Sequence, residues 1–235
     1  MMRKYCWVLA LLLTVRGAQA QVSRTETDVY IARLRAFFDG GRALSYHYQL
    51  VMAGTQDKSS RTLQGIIQVS GQSLYDSCEA YIQLKNKDYL LQINRESRAV
   101  SLVSFSRYRS LIGLDPGEGG DGLAVQIPTE ALDSAVSLHL SGAKGQEVAE
   151  FRFKKQLHGF SYIRFRMAGS QVKEVEMNMS ATGDDGQKVL YTLRMYHIRQ
   201  SVNEALFNHN RFYRISGGKV IYGAAYRNFQ HYEVI

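Results

Sequence analysis

The sequence predicts a mainly β protein: a curved antiparallel sheet, or half-barrel, with an N-terminal helix packed on its apolar face. Three observations carry this. Residues 160–199 hold three alternating segments, Phe160–Met167, Gln171–Ser180 and Lys188–Arg199, divided by the turn signals Ala168-Gly169-Ser170 and Thr182-Gly183-Asp184-Asp185-Gly186. Successive strand residues point to opposite faces, so each segment sorts by parity. One parity collects Ile163, Phe165, Met167, Val175, Met177, Met179, Val189, Tyr191, Leu193 and Met195, and the other collects Arg164, Arg166, Glu174, Glu176, Asn178, Thr192 and Arg194. That is an antiparallel meander with one greasy and one charged face. Second, residues 42–105 read as short strands with turns at regular spacing. Third, residues 25–39 are the one strongly helical stretch after the N-terminal leader. They place Tyr30, Leu34, Phe37 and Phe38 on one face with Ile31 beside them, and such a face needs a large apolar partner.

In chain order, Thr25 is an N-cap with Asp28 three residues on, and Gly40-Gly41 stops the helix. Strands are expected over Arg42–Ala53, Thr62–Ser70, Ser73–Leu84, Asp88–Asn94 and Ala99–Phe105. Residues 106–128 break the rhythm and contain the acidic glycine loop Asp115–Gly122, read as a midpoint break and not a domain linker. Thr129–Ser134 suits a short helical turn, and Val136–Leu140 and Val148–Lys154 suit strands ahead of the meander. From Ser201 the pattern turns irregular and aromatic, with Phe207, Phe212, Tyr213, Tyr222, Tyr226, Phe229 and Tyr232. The expected organisation is a signal peptide over 1–20 and a single β-rich domain over 21–235, with 201–235 as a C-terminal aromatic extension.

The leader carries Arg3 and Lys4, an apolar run from Tyr5 to Val15, and Ala18-Gln19-Ala20 as a small-x-small cleavage site. The run is too short for a membrane-spanning helix, and Cys6 is badly placed for lipid attachment. We therefore expect export to the periplasm without a lipid anchor. Losing Arg3, Lys4 and Arg16 lowers the formal charge from +8 to +5, with the basic residues spread along outer strand faces. A solvated face is the plain reading of that pattern, and nucleic acid is not an expected partner. Cys78 is then the one cysteine left, read as an inert buried thiol in line with Leu74, Ala80, Ile82 and Leu84.

No motif points to catalysis. Gly117–Gly122 matches G-x-G-x-x-G literally, but no βαβ unit surrounds it and Glu118 and Asp121 would repel a pyrophosphate. Calcium at Asp115, Glu118 and Asp121 lacks the ligand spacing of a known calcium loop. His47, His139, His158, His197, His209 and His231 form no zinc spacing, so no metal and no cofactor are expected. Glu174 and Glu176 lack the asymmetric burial that acid–base work needs. Asn178-Met179-Ser180 is a formal glycosylation sequon inside a strand. The four methionines on the greasy parity (Met167, Met177, Met179 and Met195) are the most suggestive feature, because methionine suits surfaces that accept varied apolar partners. They equally suit an ordinary core under the helix.

The helix Leu34–Phe38 leads into Leu44-Ser45-Tyr46-His47-Tyr48. Gly65-Ile66-Ile67-Gln68-Val69, Gly71, Tyr81–Asn94 and Arg98-Ala99-Val100 follow. This series resembles the periplasmic lipoprotein-carrier superfamily of LolA, LolB and their looser relatives, over the first half of the chain and by pattern in the meander. The resemblance implies a curved antiparallel half-barrel closed by helices, with an apolar cavity that shelters acyl chains.

The function expected is non-enzymatic: an envelope protein that binds or carries a lipid or lipoprotein acyl chain in the concave face of the sheet. Phe165, Met167, Met177, Met179, Leu193 and Met195 are the expected ligand-binding residues. The alternative is a structural or adaptor component of an envelope complex, with the tail filling or flanking the cavity. A polymer hydrolase using scattered carboxylates is a third reading that no spacing supports.

Overall fold

The structure, a computed structural model, describes residues 24–38, 43–54, 60–112, 129–143, 145–154, 159–182 and 188–235. The leader, the loop 115–122 with its candidate calcium ligands, Gly40-Gly41 and His158 lie outside these. Helix α1 spans Arg24–Phe38. Strands β1 (Leu44–Gly54), β2 (Ser60–Ser70), β3 (Ser73–Cys78), β4 (Tyr81–Lys85), β5 (Tyr89–Asn94) and β6 (Ala99–Ser104) follow, and then helix α2 (Phe105–Ile112). A 3-10 turn at Thr129–Ser134 precedes β7 (Ser137–Ala143), β8 (Gln146–Arg152), β9 (Phe160–Ala168), β10 (Gln171–Thr182) and β11 (Lys188–Arg199). The tail holds 3-10 turns, a hairpin of β12 (Tyr213–Ser216) and β13 (Lys219–Tyr222), and β14 (Gln230–Val234).

Twelve strands form one curved open sheet in the order β14-β6-β5-β4-β3-β2-β1-β11-β10-β9-β8-β7. Its neighbours are antiparallel except β14, which runs parallel to β6. The fold class expected from the sequence is the one found. β9, β10 and β11 form the expected antiparallel meander, with Val175 opposite Met195 and Phe165, and Met177 opposite Leu193 and Ile163, and the β9–β10 register shifts at Val172/Glu174 and at Asn178/Met179.

The sheet has two apolar regions on opposite faces. The larger core holds Ile31 and Leu34 of α1, Ala131 and Leu132 of the 3-10 turn, and inward residues of β1–β3 and β7–β11. The second holds Tyr75, Ile82, Leu84, Leu91, Ile93, Val100 and Leu102 under Phe212, Tyr213 and Tyr222 of the tail. Leu74 belongs to the first and Tyr75 to the second, and adjacent strand residues face opposite ways. We call these the helix face and the tail face.

Three expectations are corrected. Ser73–Leu84 is not one strand but a tight hairpin around Glu79-Ala80, so Ile82 and Leu84 sit opposite Ser77 and Tyr75 on the tail face, away from Cys78 and Leu74. The stretch after Ser104 opens with helix α2. The tail does not fill the helix face: its aromatics pack on the tail face, and its last strand extends the sheet.

Candidate functional site

The structure gathers the six expected ligand-binding residues on the helix face of β9–β11. Phe165, Met167, Met177, Leu193 and Met195 are buried in the larger core, and Met179 is half-buried. Phe38 of α1 lies over Phe165, with ring centroids 6.2 Å apart, and Phe151 meets Phe165 edge-on at 5.8 Å. Cover thins toward one end of this face. Met52, Tyr191, Met179 and Phe160 form a row across β1, β11, β10 and β9, each half-buried.

Helix α1 is apolar where it meets the sheet and polar at its rim. The Tyr30 hydroxyl donates to Glu147 at 2.7 Å, and the Arg33 guanidinium lies 3.5 Å from the same carboxylate. Burial and the bond to Glu147 together push the Tyr30 phenol up to about 12. Arg33 also donates to the Gly169 carbonyl, Arg35 pairs with Asp133, and the Gln200 amide donates to the Phe37 carbonyl at 3.4 Å. Gly169 heads the tight β9–β10 turn with φ +57°, a backbone state that suits glycine.

A polar group sits within the helix face at β1, β3 and β4. Asp76 is fully buried; Tyr81 lies 2.8 Å from one of its oxygens, Tyr48 3.2 Å from the other, and the two phenols are 3.1 Å apart. Burial pushes the Asp76 carboxyl up to about 6, against the opposing pull of the Tyr81 and Tyr48 hydrogen bonds. Counting hydrogens gives the same direction. With Asp76 protonated the group holds three hydrogens, one from the carboxyl and one from each phenol, for three contacts, and with it ionised only two. Burial likewise pushes both phenols well above their usual range. The Tyr48 ring lies over Gly65 of β2, where a Cβ would stand 2.7 Å from the ring and 2.5 Å from the Ser77 carbonyl. Gly65 is therefore a close-approach glycine, a role its place in a strand pattern signals.

The opposite face of β7–β11 carries a charge lattice. Arg164 bridges Glu150 at 2.7 Å and Glu176 at 3.0 Å, Arg194 pairs with Glu174 at 2.9 Å, and Tyr162 donates to Glu176 at 2.6 Å. Glu174 and Glu176 are thus each paired with arginines on this face. The sequon residue Asn178 donates to the Thr192 hydroxyl at 3.2 Å. Cys78 is buried. Among the described residues no group of three or more metal-ligating side chains converges, and no helix is long and apolar enough to cross a membrane.

Sequence reasoning missed the Tyr48–Asp76–Tyr81 group because Asp76 was placed mid-strand within a falsely continuous segment. An aspartate flanked by Leu74, Tyr75 and Cys78 was the signal available, since strands disfavour aspartate.

Among the described residues the layout defines a class: one large open sheet, antiparallel but for β14, with a long helix laid across an apolar face. No protein-family model matches the sequence, and no curated protein does. Similar solved structures include a LolA superfamily protein from Nitrosomonas europaea, at 8% identity over 79% of this chain and 99% of that one, with a TM-score of 0.38. The lipoprotein LppX of Mycobacterium tuberculosis is similar at 14% identity over 77% and 99%, with a TM-score of 0.39. A DUF1329 family protein from Desulfovibrio piger is similar at 10% identity over 81% and 99%, with a TM-score of 0.32. The superfamily named from the sequence is among these folds. The superpositions are loose and say nothing of what this chain binds.

Proposed function

We propose that this chain is an exported, non-enzymatic envelope protein that takes a lipid or lipoprotein acyl chain between α1 and the helix face of β9–β11. The row Met52–Tyr191–Met179–Phe160 carries this reading: an apolar strip, continuous with a methionine-rich core, left half-covered at one end of the face. The acyl chain enters there, and Phe165, Met167, Met177, Met179, Leu193 and Met195 repack around it as α1 lifts. Methionine suits this because its unbranched side chain adapts to differing apolar shapes. The rim contacts to Glu147 act as a clasp, because they hold the helix without adding apolar area.

The experiment is binding of a fluorescent fatty acid to the mature chain and to Glu147→Gln, both checked for folding by circular dichroism. If the helix must lift, weakening the clasp raises the population of the open form and tightens apparent binding several-fold. Absence of uptake by both proteins would refute the reading. The adaptor alternative would then gain weight, supported by the exposed Tyr232 and Ile235 beside the edge strand β14.

A further inference from the structure

The tail face holds a second site candidate, between the charge lattice and the start of the tail at Ser201–Asn203. β11 carries a bulge against β1: His47 pairs with Tyr196, but Ser45 pairs with Arg199, so two residues, His197 and Ile198, oppose one. His197 takes φ +54°, an uncommon state for a non-glycine residue. The extra residue resets the alternation. Ile198 drops into the larger core, and Arg199, which unbroken parity would have turned to the helix face, emerges beside His47 on the tail face. The His47 and His197 rings lie 5.3 Å apart, edge to face.

These three side chains, all exposed, line a cleft of about 290 Å³ with Ser45, Gln68 and Asn203, and no carboxylate lines it. None of the three is hydrogen-bonded or ion-paired to another described residue. That sets them apart from Arg164, Arg166 and Arg194 of the lattice, whose charges are matched by Glu150, Glu174 and Glu176. The adjoining clefts do carry carboxylates, Glu174 beside Arg194 and Lys173, and Glu79 beside Arg95.

We infer that the bulge of β11 builds an anion site for a phosphate group, with Arg199 as the fixed cation and the imidazoles of His47 and His197 as hydrogen donors. A guanidinium beside two ring N–H groups matches the several acceptor oxygens of a phosphate. The cleft volume suits a phosphate or phosphate monoester and leaves the group open to solvent, so the anion is either a soluble phosphate or a phospholipid headgroup at a membrane surface. The site is separate from the acyl-chain site, which lies on the other face.

The test follows the histidine ring resonances of the mature protein by NMR during titration with inorganic phosphate, against sodium chloride at matched ionic strength. In a second arm, binding to vesicles of phosphatidylglycerol is compared with binding to phosphatidylcholine. Saturable shifts confined to His47 and His197, with His209 unmoved, are expected. Arg199→Gln weakens phosphate binding about tenfold or more, and Arg199→Lys retains part of it. Vesicle binding that is phosphatidylglycerol-dependent and lost in Arg199→Gln, with no response to free phosphate, assigns the headgroup as the source. Folded Arg199→Gln that behaves as wild type in both arms, or wild-type shifts no larger than those in chloride, overturns the site.

Discussion

Asp76 makes stability depend on pH in a direction opposite to most carboxylates. Its folded-state value of about 6 stands some two units above the usual 3.8. A group whose folded pKa is raised stabilises the native state fully below its unfolded pKa and loses that contribution as pH rises through the folded one. At about 1.4 kcal/mol per unit, the loss attributable to Asp76 is about 3 kcal/mol, spread between roughly pH 4 and pH 6.5. Asp76→Asn keeps the shape and the acceptor for Tyr48 or Tyr81 and removes the titration. Urea denaturation of both proteins at several pH values from 4 to 8 yields the difference between their stabilities at each. Other groups, Glu150 among them, cancel in that difference. The variant should gain on wild type by about 3 kcal/mol across the window and then level off. A difference that stays flat with pH, or that shifts in favour of wild type as pH rises, refutes the three-hydrogen account of the cluster.

Gly65→Ala drives a methyl into the Ser77 carbonyl and the Tyr48 ring, and should cost about 2–3 kcal/mol, or about 5–10 °C in Tm; an unchanged Tm would disprove the close approach. Met177→Ala, at a side chain 1% exposed, should lose about 2–4 kcal/mol in chemical denaturation if the core closes tightly around it, and a smaller loss would indicate slack beneath α1. Arg164→Gln leaves Glu150 and Glu176 unbridged. Burial raises the Glu150 carboxyl, but the hydrogen bonds from Arg164 and Arg152 outweigh it and hold the group below its usual range. That contribution is present above the unfolded pKa of Glu150 and fades as pH falls through the lowered one. The variant should therefore lose at most about 1 kcal/mol at neutral pH, less in high salt, and nothing in strong acid.

The middle of the meander was readable because its alternation is regular there and its turns carry glycine: parity placed Ile163 to Met167, Val175 to Met179 and Val189 to Met195 on the helix face, but irregularities near the strand ends bring Phe160, Val172 and Ile198 to the same face against it. The helix was readable from the spacing of Tyr30, Leu34, Phe37 and Phe38, although Ile31 and Leu34 are the residues it buries deepest. What parity could not reveal was where one strand ends without a glycine or proline. Glu79-Ala80 closes a tight turn with neither, so β3 and β4 read as one strand and the residues of β4 fell on the wrong face. The bulge at His197 is a second such case, because an inserted residue leaves no mark in composition yet turns Arg199 over. The pairing of β14 with β6 was hidden for a different reason. It joins residues more than 130 positions apart in parallel, and no hairpin signal announces such a contact.

The two covers of the sheet differ in how they are held, and that difference bears on which one would yield to the proposed acyl chain. The tail is tied in through the backbone: β14 pairs with β6 over Gln230–Val234, and the Gln230 amide donates to the Arg98 carbonyl at 2.8 Å. Lifting it would strip a strand from the sheet and expose Leu91, Val100 and Leu102. Among the described residues α1 is joined to the sheet by side chains alone, through its apolar face and the rim contacts of Tyr30, Arg33 and Arg35. Apart from its terminal turns, where the Phe37 carbonyl accepts from the Gln200 side chain, its backbone hydrogen bonds close within the helix, so it can separate as a unit without leaving strand edges unpaired. An apolar guest under α1 replaces the lost contacts in kind, whereas no small ligand could replace the ladder that β14 makes. The helix face is therefore where exchange of cover for ligand is cheapest, and the methionines lie on that face.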